Sequence, residues 1–134
     1  MITQRLRNSI QNDIDSNHIA SNEIKKGLKT ITKGSNLYQS LDYSLQLHVI
    51  QSCFLISILN KNKPNALKFY RNFLNLSSEM MILMSEKSEE TVIEFSMTNG
   101  DRAIEKSENN QAYLEFCNEI QSTNCYFLKL IDMI

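Results

Sequence analysis

Four polar or amphipathic side chains, His48, Gln51, Tyr70 and Asn124, fall inside or beside apolar patterns of this 134-residue chain, and they are its candidates for site chemistry. Gln51 shares a helical face with Leu47, Phe54 and Leu55. Buried without partners, its amide would cost roughly 1–3 kcal/mol. It is therefore either satisfied by backbone groups or turned into a polar-lined pocket. Asn124 poses the same choice within the last apolar stripe. Tyr70 joins an apolar ring to a polar tip, which suits a core position as well as a pocket wall. His48 reads as a surface or capping histidine, or as a ligand contact or pH-sensitive group. Brought together, these residues would line a mostly apolar cavity with a few orienting polar groups, the usual make-up of a small-molecule site.

Other chemistries find little support. Two histidines leave no room for a nucleophile–histidine–acid set, and there is no glycine-rich phosphate loop. The acidic run Glu86–Glu90 lacks the glycine and the ligand spacing of a calcium loop. No cofactor, metal or enzymatic activity is expected. Cys53, Cys117 and Cys125 are odd in number and widely spaced, which points to buried, reduced thiols in a cytoplasmic protein. A net charge of −1 with mixed signs offers no basic face for direct nucleic-acid binding. The N-terminal residues have no apolar core of a signal peptide. The thirteen-residue run Leu47–Leu59 is too short and too interrupted to cross a membrane. What remains is binding.

The elements that must position such a site are mainly helical. Ile2, Leu6, Ile10 and Ile14 form a narrow stripe, and Asp13–Asn17 has the turn chemistry to end it. Asn22 reads as the cap of a second helix, stopped near Gly34. Leu37, Leu41 and Leu45 lead through a bend at Gln46–His48 into the Leu47–Leu59 run. Asn60–Lys63 breaks the pattern, Asn62 can cap the next helix, and Pro64 suits its first turn. Met80–Met84 and Thr91–Met97, separated by the acidic run, read as a β-hairpin, with a turn at Asn99–Asp101. Asn109 or Asn110 caps a last helix with Tyr113, Phe116, Cys117, Ile120, Asn124, Phe127, Leu128 and Ile131 on its inner stripe. The expected fold is α+β and mostly helical, about five helices with one small β-hairpin. It forms a single domain over residues 1–134, with 1–14 as an N-terminal helical arm and 37–131 as the core.

This order of elements resembles the N-terminal sensing and dimerisation domain of AraC-type transcription regulators, the arabinose-binding-like domain. The resemblance rests on the leucine spacing from Leu37 to Leu47, the buried run Ile50–Leu59, Asn65-Ala66-Leu67, the pair Phe69-Tyr70, the hairpin segments and the closing helix Ala112–Ile131. It covers about three-quarters of the chain. The family's glycines around Gln51–Leu55 and its Ser-Pro pair are missing, and so are its helix-turn-helix motifs. The resemblance implies a non-catalytic regulatory domain of a bacterial transcription regulator that senses a small apolar or acidic effector or forms a homodimer. The alternative is a small helical adaptor or inhibitor, including one that antagonises a regulator. It would contact a protein partner through the Ile2–Ile14 stripe or the last helix.

Overall fold

The computed structural model describes the backbone of residues 1–97 and 101–134 and the side chains of residues 1–85 and 111–134. Among the described residues the chain is all-α: α1 (Gln4–Leu28), α2 (Asn36–Leu59), α3 (Lys63–Met97) and α4 (Asp101–Asp132). There is no strand among the described residues.

The expected hairpin is therefore corrected to helix. Met80–Met84, Glu86–Glu90 and Thr91–Met97 all lie within the 35 residues of α3. No glycine or proline interrupts residues 65–97, and the stretch is rich in Met, Leu and Glu, all strong helix formers. Once α3 is nucleated at Lys63, extending it one residue at a time is cheap, whereas a hairpin needs a new nucleus. The expected cap at Asn109 or Asn110 is also corrected, since both lie inside α4. Residues 98–100, which hold most of the expected Asn99–Asp101 turn, lie outside the described residues.

Two more expected breaks are continuous helix, and the described residues form four helices where about five were expected. α1 runs through Asp13–Asn17 because Ile10 and Ile14, on either side of Asp13, are both buried. Burying each isoleucine stabilises the helix by about 1.5–3 kcal/mol. The poorer propensity of Asp, Ser and Asn costs at most about 0.7 kcal/mol per residue. The same burial removes Ile10 and Ile14 from the list of surfaces free to meet a partner. α2 runs through Gln46–His48 for a like reason, since Leu47 is buried.

Where breaks do occur, their chemistry is local. The Thr3 hydroxyl accepts from Leu6 N–H at 3.1 Å and starts α1. Ser35 does the same for α2, accepting from Tyr38 N–H at 3.1 Å. Between them Gly34 takes φ +85°, the left-handed conformation that glycine adopts without strain. α2 ends in a Schellman motif: Asn62 N–H donates to Ser57 C=O at 2.9 Å and Lys61 N–H to Ile58 C=O at 3.0 Å. Lys61 occupies the left-handed position at φ 55°. Asn62 then caps α3, its Oδ1 accepting from Asn65 N–H at 3.2 Å, with Pro64 in the first turn.

The chain divides into two compact units. The first comprises Met1–Leu76 and Tyr126–Ile134, so it holds α1, α2, the start of α3 and the end of α4. Its core centres on Phe54, Phe73 and Phe127. Phe54 and Phe127 stack with centroids 4.0 Å apart, and Phe73 meets Phe127 at 5.1 Å and 56°. Ile10, Leu55, Ile58 and Leu130 complete it. The second unit, Ser77–Cys125, contains the remainder of α3 and α4. The cysteines depart from expectation: Cys53 and Cys117 are only half-buried and Cys125 is exposed, though all three are free thiols. Their apolar surroundings pointed to burial, yet Cys125 is exposed on α4.

Candidate binding groove

Of the four residues singled out by sequence, three lie in the first unit and Asn124 in the second. His48 is half-buried on α2, and its Nδ1–H donates to Asn17 Oδ1 on α1 at 2.8 Å. Burial pushes its pKa below the ordinary histidine value, which favours the neutral ring. This bond ties α1 to α2. Gln51, one helical turn further along α2, is half-buried. Tyr70, half-buried on α3, tilts against Phe54 at 6.5 Å and belongs to the rim of the aromatic core. Asn124 is half-buried on α4 and is bonded or in contact with a neighbour.

None of these four lines the groove that opens between α1 and α2, which has a volume of about 370 Å³. One wall is the face of α1 that carries His18, Ser21, Asn22 and Lys25. The other is the face of α2 that carries Val49, Ser52, Cys53 and Ile56. Each set follows the i, i+3, i+4, i+7 spacing of a single helix face. The Asn17–His48 bond sits beside it, since the next residue of each helix, His18 and Val49, is a lining residue.

The two walls differ in chemistry. That of α2 is largely apolar, with Val49 and Ile56 left 43% and 40% exposed. That of α1 is polar and carries an ammonium group at Lys25, which has no ion-pair partner among the described residues. The one ion pair there joins Lys26 to Glu23. Both walls bury a serine. Ser21 and Ser52 are only 5% and 3% exposed, and neither hydroxyl has a hydrogen-bond partner among the described residues. Each such hydroxyl costs about 1–3 kcal/mol relative to a satisfied one. By contrast Ser57, one turn beyond Cys53 on α2, donates to Cys53 C=O at 2.9 Å. A third unpartnered hydroxyl, Tyr126, lies elsewhere, beside Phe127 in the core. Burial raises its phenol pKa, and the charge of Asp13 adds to the shift.

The groove can bind and orient. It pairs an apolar wall with two unused hydroxyls and a cation, at a volume within the range of small-molecule sites. Among the described residues no three His, Cys, Asp or Glu side chains come together in a metal-ligand cluster. Sequence reasoning took none of the eight lining residues as a site residue, reading Asn22 only as a helix cap and Cys53 only as a buried thiol. Their one signal was the matching spacing of His18–Lys25 and Val49–Ile56, each with a serine in the middle. No family model, curated protein or solved structure matches the chain. Among the described residues no helix is long and apolar enough to cross a membrane.

Proposed function

We propose that this chain is a non-catalytic ligand-sensing module whose binding site is the groove between α1 and α2. The observation that carries this reading is the pair of buried, unpartnered hydroxyls, Ser21 and Ser52, at a groove with an apolar wall. Free thiols fit a reducing compartment such as the cytoplasm. The sensing role is the one that the AraC-type resemblance implies. The element order behind that resemblance included a hairpin where α3 is helical, so the proposal rests on the groove and not on the resemblance. A ligand filling the groove touches both helices at once and biases how α1 packs on α2, which is the two-state change a sensor needs.

Of the stripe on which the adaptor reading relied, Ile10 and Ile14 are core residues, while Ile2 and Leu6 are half-buried. The test is an amide chemical-shift titration of the full chain with a neutral amphiphile, 1-decanol. Saturable shifts centred on Ser21, Ser52 and Cys53 are expected. Shifts centred on Tyr70 or Asn124, or none up to the solubility limit of the probe, would overturn the reading.

A further inference from the structure

The chemistry of the two walls narrows the ligand class, on the footing that the groove is the binding site. We infer that the groove selects a linear amphiphilic carboxylate of medium chain length, with its head group at Lys25 and Ser21 and its tail along Val49, Cys53 and Ile56. Ser21 and Lys25 are four residues apart on α1 and therefore share one face of the helix. An ammonium and a hydroxyl so placed can both donate to one carboxylate. The Ser52 hydroxyl, buried and unpartnered on the opposite wall, is a further unused donor beside the groove. A neutral tail end would leave these donors unused.

Charge complementarity points the same way. No aspartate or glutamate lines the groove. The last turn of α1 carries Lys25 and Lys26, with Lys29 as its cap. Lys26 is paired with Glu23, but the charge of Lys25 and Lys29 outweighs the partial negative charge, roughly half a unit, at a helix C-terminus. An anion is therefore attracted to this end in spite of the helix dipole. Size favours a small molecule over a partner helix. Each wall spans seven residues' rise, about 10 Å, whereas stable protein interfaces bury about 800 Å² per partner.

The test repeats the amide-shift titration with decanoate beside 1-decanol, in the full chain and in Lys25→Ala and Ser21→Ala variants. Decanoate is expected to bind about tenfold more tightly than decanol, an advantage that shrinks at high salt because Lys25 is exposed. Lys25→Ala should weaken decanoate far more than decanol and so remove most of that advantage, a split that a general loss of structure does not give. Equal affinities of the two probes, with shifts still in the groove, would overturn the carboxylate assignment and leave the site itself standing. So would a decanoate advantage that Lys25→Ala does not alter. A ligand-free chain that sediments as a dimer with Val49 and Ile56 at its contact would overturn it too, and would give the groove to a second copy.

Discussion

Replacing Ser52 with alanine should stabilise the ligand-free protein, and replacing Ser57 should not. Both serines are buried on α2, five residues apart, so the gain in helix propensity from Ser to Ala, about 0.5 kcal/mol, is common to both. Their hydroxyls differ. Ser57 donates to Cys53 C=O, a bond worth about 1 kcal/mol net, so Ser57→Ala should come out near neutral or about 0.5 kcal/mol destabilised. Ser52 has no partner among the described residues, so Ser52→Ala removes a desolvation cost of about 1–3 kcal/mol and adds the propensity gain. The expected gap between the two variants is about 2 kcal/mol. Urea unfolding followed by far-UV circular dichroism reads it as a midpoint difference of about 1 M, with unchanged slopes. If Ser52→Ala unfolds at or below the midpoint of Ser57→Ala, the Ser52 hydroxyl is already satisfied and the groove loses its main support.

Two further predictions concern the frame around the groove. Phe127→Ala should cost at least about 3 kcal/mol, from the lost burial and cavity plus its contacts with Phe54 and Phe73; a loss below about 1.5 kcal/mol in the same unfolding assay would mean that the end of α4 is not part of this core. His48 should make stability depend on pH. Its folded pKa lies below 6.5, so between those two values the unfolded chain binds more protons and stability rises with pH. The contribution is complete above about pH 6.5 and is lost as the pH falls toward the folded value. His48→Gln should flatten the melting temperature across that window relative to the parent chain. A parent profile already flat there would show that the ring is not held neutral by burial.

What the sequence made legible was mostly local chemistry. The break between α2 and α3, the Asn62 cap, the place of Pro64 and the left-handed Gly34 all follow from one or two residues and their immediate neighbours. The misreadings share another cause. Asp13–Asn17, Gln46–His48 and Asn109–Asn110 look like ends because their residues also serve as turns and caps, and for the first two the deciding term is burial of Ile10, Ile14 and Leu47 by partners distant in sequence. In the hairpin region the alternation Thr91, Ile93, Phe95, Met97 satisfied a strand pattern, but a helix arriving intact from Lys63 continued through it. The groove was illegible for a third reason. Each wall has visible helical spacing, yet only the packing of α1 on α2 brings Ser21 and Ser52 to one opening. A search for polar residues in apolar stripes finds Gln51 and Asn124; it passes over serine, which is small enough to look like a spacer.

That small size raises the competing explanation that Ser21 and Ser52 are there only to let α1 and α2 approach. Close approach requires a small side chain but not a hydroxyl. Alanine would meet the steric need with better helix propensity and no polar atom to desolvate. Among the described residues two other serines are buried: Ser57 bonds to a backbone carbonyl, and Ser77 has a bond or contact of its own. The two without partners are the two that open on the same groove, one from each wall. A purely steric role predicts that Ser21→Ala and Ser52→Ala leave decanoate binding unchanged. A role in recognition predicts variants that are more stable and bind more weakly. Measuring both quantities on the same two proteins separates the explanations, because steric spacing has no means of trading stability against affinity.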